Sequence, residues 1–313
     1  MTTKMRRGFT LVELLVVMVV ISMLIALLLP AVAGVRERGR QLQCTNNQGE
    51  ISKAILMYEM EKKHFPGWVN RSLATNPNDK GRKYPLAWPL VILAQLGRED
   101  LAKKYLASGS QEFFPGSGAT PADAQLDQPK VLQATNLPVF VCPSDARQDN
   151  AALAYVANCG MSDADLPPSS QPLVVGPDIG ASGLFMNLYD YAKPMVRLSD
   201  IVDGASETIL ISENVGALDW KPVWSWPVSE PQVGLFWWPD AVVVPDSARY
   251  INRGRTNPVP GNPKFVARPS SNHSGIAIAA FCDGSVRSLN EDTDPIVLRQ
   301  MLTPNGALCG NGY

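Results

Sequence analysis

The sequence predicts an α+β fold, in which a long N-terminal helix is followed by a globular head made mainly of antiparallel β-sheet with a few helices. Between Leu14 and Leu29, only Ser22 is neither a hydrocarbon nor a thioether side chain. This run predicts a helix, and apolar residues at helical spacing follow it. The short β-rich runs all come later, and Asp283-Gly284 is a strong hairpin signal.

The composition excludes several classes of partner and site. The net charge is −1 and no basic stripe is present, so we expect no nucleic-acid partner. The chain has only two histidines, which makes a zinc site with two histidine ligands improbable, and we expect neither a metal nor a cofactor. The 313 residues are enough for one large domain or two small ones.

Two general interpretations of the N-terminal segment leave one residue unexplained. A basic start and small residues at 31–33 are typical of a cleaved secretory signal, although the apolar run exceeds the usual length of about 7–15 residues. The segment Leu14–Val35 also fits a plain membrane anchor, because as a helix it is about 33 Å long and a hydrocarbon core is about 30 Å thick. Neither explains Glu13, whose carboxylate costs roughly 2–3 kcal/mol if it enters the bilayer alone.

A third interpretation explains Glu13. The segment RRGFTLVE, residues 6–13, closely resembles the prepilin cleavage and methylation motif of type IV pilins and type II secretion pseudopilins. The resemblance implies that a prepilin peptidase and methyltransferase cuts after Gly8 and methylates Phe9. It also implies that Glu13 pairs with the N-terminal ammonium of a neighbouring subunit, and a buried charge needs such a partner. Pro30 falls where many pilins carry a helix-kinking proline.

The helical pattern continues past the apolar run. Apolar residues recur at three- and four-residue spacing and predict one buried stripe, at Leu42, Ile51, Ala54, Ile55 and Tyr58. The segment His64-Phe65-Pro66-Gly67 is expected to end this helix. We therefore predict a leader over 1–8, a transmembrane and spine helix over 9–63, and a head domain over 64–313. Two helices broken near Gly34 are the alternative.

Further elements are predicted along the head. A second helix is expected from Ala87 to about Leu106, and a long surface loop over 107–130. The β-rich runs are Leu137–Cys142, Ala152–Val156, Glu207–Ser212, Gly234–Trp238 and Gly275–Phe281. A terminal helix is expected up to Leu302, with Asp294 as its N-cap and Pro295 as its first residue.

Three motif segments lie in the predicted head: CPSD at 142–145, DGASET at 203–208 leading to Glu213, and His273 with Asp283-Gly284. They resemble a large-headed prepilin-type family whose head ends in a His-x9-Asp-Gly motif. The resemblance implies no assigned biochemical role for the head. Glu207 stands where Asn is more usual in that family.

The chemistry-bearing residues of the head favour structural roles. Cys142 and His273 would suit a nucleophile and base, but neither a helix N-terminus nor a basic cluster is evident to lower the thiol pKa. We therefore predict a disulfide between Cys142 and Cys159 in an oxidising compartment.

The motif residues His273 and Asp283 are expected to lie apart. They flank a strand-length segment, so a straight strand separates them by roughly 30 Å and they do not share a metal. We expect His273 to make structural hydrogen bonds and Asp283 to begin a turn, with positive φ, beside Gly284.

Two weaker ligand hypotheses remain. Asp163 and Asp165 are possible calcium ligands, but no twelve-residue calcium loop follows them, which favours a solvated turn. Large rings cluster over a short segment and form either a binding shelf or part of the core, at Trp220, Trp224, Trp226, Trp237 and Trp238.

These patterns favour a structural filament subunit that is not an enzyme. Its expected partners are the prepilin peptidase, other pilin-like subunits and the inner membrane, which it crosses once with a cytoplasmic N-terminus and an exported head. A membrane-anchored module that binds a glycan or protein ligand is the alternative. A membrane-tethered hydrolase is disfavoured, because the sequence offers no catalytic set.

Overall fold

The computed structural model describes residues 11–75, 83–107, 137–145, 152–161, 183–186, 188, 195–215, 217, 234–237, 251–252 and 268–305. The helices are α1 (Leu11–Lys62), α2 (Trp88–Val91), α3 (Glu99–Ala107) and α4 (Pro295–Leu302). The strands are β1 (Val69–Thr75), β2 (Lys83–Ala87), β3 (Tyr155–Met161), β4 (Ile209–Glu213), β5 (Gly234–Trp237), β6 (Ile276–Phe281) and β7 (Val286–Asn290). A long helix followed by antiparallel-rich sheets confirms the predicted α+β class.

Helix α1 is a single element of 52 residues. It continues through Pro30 and Gly34, so the alternative of two helices broken near Gly34 is wrong. It ends where predicted, because Lys63 has a φ of 62° that no helix continues. The contacts between residues divide the chain into two compact units, Met1–Leu42 and Gln43–Tyr313. The boundary between the units falls inside this helix.

The second unit buries one face of the C-terminal part of α1. Ile51, Ala54 and Ile55 of the predicted stripe are buried, whereas Leu42 is 65 % exposed, so the prediction is wrong for Leu42. The same face carries polar residues that make specific bonds. The Nδ2 of Asn47 donates to the carbonyl of Val141 at 3.0 Å, and the Nε2 of Gln48 donates to the carbonyl of Ile278 at 2.8 Å. Apolar contact and side-chain hydrogen bonds therefore both attach α1 to the head.

The head contains a five-stranded sheet in the order β5-β3-β4-β6-β7 and a separate two-stranded sheet, β1-β2. All neighbouring pairs are antiparallel except β3 and β5. Strand β4 is buried along its whole length because it lies at the centre of the larger sheet.

The larger sheet is covered on both faces. Tyr155 and Asn158 lie three residues apart in β3, so their side chains point to opposite faces. The hydroxyl of Tyr155 lies 3.3 Å from Asn47 Nδ2 on α1. The Nδ2 of Asn158 donates to the last carbonyl of α4, that of Leu302, at 2.8 Å. Helices α1 and α4 therefore pack on opposite sides of the sheet.

Several predicted elements need correction. The helix expected over Ala87–Leu106 is two helices, α2 and α3, separated by a turn in which Gly97 has a φ of 72°. The run Leu137–Cys142 forms a short 3-10 helix at Pro138–Phe140 instead of a strand. Strand β3 begins at Tyr155, later than expected. The terminal helix is confirmed, since the Oδ1 of Asp294 accepts from Ile296 N at 2.7 Å.

The predicted hairpin joins β6 to β7. The pair Phe281 and Ser285 closes its turn, so the turn has three residues, 282–284, instead of two. Phe281 N donates to the carbonyl of Ser285, and Gly284 N donates to the carbonyl of Phe281. Gly284 has a φ of 83°, whereas Asp283 is not in the left-handed region, so the expected positive φ at Asp283 is wrong. A turn followed by a left-handed glycine is a common three-residue hairpin loop. Asp283 contributes through its Oδ1, which accepts from Ser285 N at 2.8 Å.

We expect Gly284→Ala to lower the free energy of unfolding of the head by about 1–2 kcal/mol, the cost of a left-handed conformation with a Cβ. The cost arises in the backbone, because a Cβ there would only meet Leu56 Cδ1 at 3.7 Å, an ordinary contact. Gly284→Asn is the matched control, since asparagine tolerates this conformation better. Urea titration measures both variants, and equal losses would contradict the proposed cause.

Candidate functional site

The N-terminal part of α1 presents an apolar surface that nothing in the described chain covers. Its large apolar side chains from Leu11 to Val35 are all at least 39 % exposed. Among the described residues, α1 is the one helix long and apolar enough to cross a membrane. Glu13 lies in its first turn and is exposed. Gly8 and Phe9 lie outside the described residues.

A second candidate site is a buried cluster in the head, which we call the CCEH cluster: Cys44, Cys142, Glu213 and His273. Cys44 comes from α1, Cys142 from the loop after the 3-10 helix at Pro138–Phe140, Glu213 from the end of β4, and His273 from the loop before β6. One ligand atom from each residue lies within 4.8 Å of all the others. Each of the four residues is at most 5 % exposed.

The imidazole of His273 is at the centre of the CCEH cluster. Its Nε2 lies 3.4 Å from Cys44 Sγ and 3.5 Å from Cys142 Sγ. The same nitrogen is 3.4 Å from Oε1 of Glu213. The backbone N of His273 donates to Ser271 Oγ at 3.0 Å, which holds the loop in place. His273 thus makes a structural hydrogen bond, as expected. Its ring also contacts the side chains of Cys44, Cys142 and Glu213.

Cys44 and Cys142 form a disulfide, with Cα atoms 5.3 Å apart. The predicted pairing of Cys142 with Cys159 is therefore wrong. Cys159 is a buried thiol whose Sγ donates to the carbonyl of Ala157 in its own strand. Cys142 pairs with Cys44 because Cys44 lies on the buried face of α1.

Glu213 is fixed through one of its two carboxylate oxygens. Its Oε2 accepts from the backbone N of Ile278 in β6 at 2.9 Å. Its Oε1 points to His273, but among the described residues no well-formed hydrogen bond reaches that atom. The 3.4 Å separation is longer than a strong hydrogen bond to a carboxylate, which is about 2.7–2.9 Å long. A buried carboxylate oxygen in this state calls for a cation or a proton.

A polar side chain on the same helix as Cys44 contacts a buried tyrosine of β3. Asn47 lies one turn from Cys44 and contacts the hydroxyl of Tyr155. Burial raises the pKa of Tyr155 well above its usual range, and the negative charge of Glu213 adds to this effect. Tyr155 therefore stays neutral and serves as a hydrogen-bonding group.

A partly open pocket borders the CCEH cluster. Its lining residues are Cys142, Asp145, Ala154, Glu213, Asn214, Val215, Ser270, Ser271 and Asn272. The pocket reaches two of the four cluster residues, Cys142 and Glu213. The cluster is thus buried, and the pocket lies against one side of it.

The structure separates the two ends of the His-x9-Asp-Gly spacing as predicted. His273 precedes β6 and Asp283 follows it. The turn at Asp283 is anchored by the segment Gly204–Thr208, since Asp283 N donates to Ala205 O and Cys282 N donates to Thr208 O, both at 3.0 Å. Asp283 and Gly284 therefore shape and dock the hairpin.

The remaining ligand hypotheses fall largely outside the described residues. This is true of Asp163 and Asp165, and of four of the clustered tryptophans. Trp237 is the last residue of β5. The loop predicted over 107–130 is likewise outside the described residues except for residue 107, which ends α3.

Sequence reasoning missed Cys44 and Glu213 as site residues. Cys44 stands one turn before the polar pair Asn47 and Gln48, on a stripe of helical spacing. Glu213 was noted only as the end of a motif segment. The sequence does carry a signal for three of the four residues, because Cys142, Glu213 and His273 each belong to one segment of the second resemblance. The structure brings these three side chains together.

Two family models match the chain. The model described as "Protein of unknown function (DUF1559)" matches residues 34–296. The model described as "Prokaryotic N-terminal methylation motif" matches residues 3–29. The first spans most of the head and the second the whole resemblance to the prepilin motif.

Part of the chain is similar to curated proteins. The chain is similar to the type II secretion system core protein G of Escherichia coli (strain K12), with 33 % identity over 64 residues, 20 % of this chain and 44 % of that protein. It is similar to the protein of the same name from Pectobacterium carotovorum subsp. carotovorum, with 29 % identity over 84 residues, 26 % of this chain and 54 % of that protein. The chain thus spans about half the length of these relatives. No solved structure matches the chain at a significant level.

Proposed function

Because the chain belongs to the DUF1559 family of proteins of unknown function and carries the prokaryotic N-terminal methylation motif, we propose that it is a membrane-anchored structural subunit of a type IV pilus-like or type II secretion-like filament. The observation that carries this proposal is the N-terminal part of α1. This part of the helix overlaps the match to the methylation motif, and the helix is apolar and long enough to span a bilayer.

The exposed apolar surface supports this proposal. A soluble monomer does not leave such a continuous apolar surface in water, so a lipid or protein environment must cover it. A membrane covers it before assembly, and the same helices of other subunits cover it within a filament. The curated proteins that match part of this chain are named type II secretion system core protein G, which also supports the proposal.

The proposed maturation and assembly assign roles to Gly8, Phe9 and Glu13 of the motif. Prepilin peptidase removes residues 1–8 by cutting after Gly8, and Phe9 becomes the methylated N-terminus. Residues 9–63 then form the membrane and spine helix, with a kink at Pro30, and residues 64–313 form the head outside the inner membrane. Glu13 acts in assembly by pairing with the ammonium of Phe9 in a neighbouring subunit.

Mass spectrometry of the mature N-terminus tests this proposal. We expect the protein from its native host to begin at N-methyl-Phe9, and Gly8→Ala to retain the leader because the peptidase no longer cuts. Thr3→Ala is a control upstream of the cut and should leave processing unchanged. A mature terminus at Gly34 would instead establish a cleaved secretory signal, and a terminus at Met1 in the wild type would establish a plain anchor.

A further inference from the structure

We propose that the CCEH cluster is a redox-gated metal site: when the Cys44–Cys142 disulfide is reduced, the two thiolates, His273 and Glu213 together bind one divalent ion of the zinc type. In the oxidised state the same two cysteines form the disulfide. The head thus has two alternative cross-links between α1 and the sheet, one covalent and one through a metal. This inference is independent of the filament proposal.

Three of the six distances between the ligand atoms already match a tetrahedral site. Atoms bound about 2.0–2.3 Å from a tetrahedral centre lie about 3.3–3.8 Å from one another. The Nε2 of His273 lies 3.4 Å from Cys44 Sγ, 3.5 Å from Cys142 Sγ and 3.4 Å from Glu213 Oε1. All pairs are within 4.8 Å. The site requires the bond between the two sulfurs to open, and the distances from Glu213 Oε1 to the two sulfurs, each within 4.8 Å, to settle into the same range.

The donor set favours zinc. Two thiolates, one imidazole and one carboxylate are all established zinc ligands, and four-coordinate sites suit that ion. The low histidine count disfavours only those zinc sites that use two histidine ligands. A site with two cysteines needs only one histidine, and His273 supplies it. The sequence-based expectation of no metal therefore does not hold for this combination of ligands.

Glu213 gives an independent indication of a cation. Its side chain is nearly fully buried, and its Oε1 points into the cluster without a well-formed hydrogen bond among the described residues. Its Oε2 is held by the backbone N of Ile278. This arrangement orients one oxygen for a metal while the other is fixed by the protein, as outer hydrogen bonds do for metal-binding carboxylates. A cation at the centre would satisfy the Oε1 atom.

The redox step balances with a dithiol as the reductant. A dithiol passes two electrons and two protons to the disulfide, becomes a disulfide itself, and leaves Cys44 and Cys142 as thiols. Binding of Zn²⁺ then releases the two thiol protons, because the metal binds thiolates. The partly open pocket lies against Cys142 and Glu213, and the ion enters the cluster from that side.

Cobalt titration of the full chain in detergent micelles tests the proposal. The protein is reduced with a dithiol, freed of the reductant without oxygen, and titrated with Co²⁺ and then with Zn²⁺. We expect one Co²⁺ per chain, with the thiolate-to-cobalt charge-transfer band and the intense visible bands of a tetrahedral site, and displacement by Zn²⁺. The oxidised protein should show neither the charge-transfer band nor the visible bands.

Variants locate the site. His273→Ala and Cys142→Ser should weaken cobalt binding by more than about 100-fold, the upper range for losing an outer-shell partner. Glu213→Gln should weaken it and alter the visible bands. Cys159→Ser is the matched control, because this buried thiol lies outside the cluster, and it should leave the spectrum unchanged.

Two results would overturn the proposal. One is reduced wild-type protein that takes up no Co²⁺ and no Zn²⁺. The other is a charge-transfer band that persists in Cys142→Ser and His273→Ala but disappears in Cys159→Ser. The wild-type titration does not depend on whether any variant folds, and N-terminal processing is unaffected by either outcome.

Discussion

Replacing both cysteines of the disulfide, in Cys44→Ala/Cys142→Ala, should lower the free energy of unfolding of the head by about 4–5 kcal/mol under oxidising conditions. The disulfide joins residues 98 apart, and closing a loop of about 100 residues removes about that much chain entropy from the unfolded state. The loss is large because a typical domain is stable by only about 5–15 kcal/mol. The disulfide also ties the buried face of α1 to the loop that precedes β3.

Urea titration with and without a dithiol measures this contribution, in the presence of a chelator that keeps metals away. The dithiol should lower the stability of the wild type to that of the double variant and should leave the double variant unchanged. Cys159→Ala is the control for removing a buried sulfur and should keep the full response to the dithiol. A wild type whose stability is the same with and without the dithiol would contradict the prediction.

Replacing Glu13 by Val should abolish incorporation into filaments while leaving the head folded. In the proposed filament the carboxylate meets the ammonium of Phe9 from another subunit, and stranding one partner of a desolvated pair costs about 3–5 kcal/mol. Membrane insertion should improve, because the variant removes a charge from the edge of an apolar helix. The head should be unaffected, since Glu13 belongs to the first turn of α1 and the strands that the structure describes all follow that helix.

Comparing the membrane fraction with the sheared filament fraction in the native host measures this effect. Glu13→Gln separates charge from shape and should fail nearly as completely as Glu13→Val. Ser22→Ala is the matched control within the apolar run, because the Ser22 hydroxyl donates to the Met18 carbonyl of its own helix at 2.7 Å and needs no partner. If Glu13→Val reaches filaments at wild-type levels, Glu13 has no role in assembly, and a plain membrane anchor becomes the favoured interpretation.

The sequence alone predicted the features that depend on local patterns. The extent of α1, the Asp294 cap of α4 and the hairpin at Gly284 each arise from residues close together in the chain, so spacing and turn chemistry reveal them. The methylation motif is likewise a contiguous segment, and the family matches agree with it. The run Leu137–Cys142 is an informative error, because its apolar residues suit either a strand or a short buried turn.

Only the tertiary structure decided which distant side chains meet. Cys142 is close in sequence to Cys159, but it pairs with Cys44, which lies 98 residues away, because α1 places Cys44 against the loop before β3. Glu213 and His273 reach the same point from β4 and from the loop before β6. Sequence patterns record the period of each element, whereas the packing of the elements against one another sets contacts between them, and no local pattern encodes that packing.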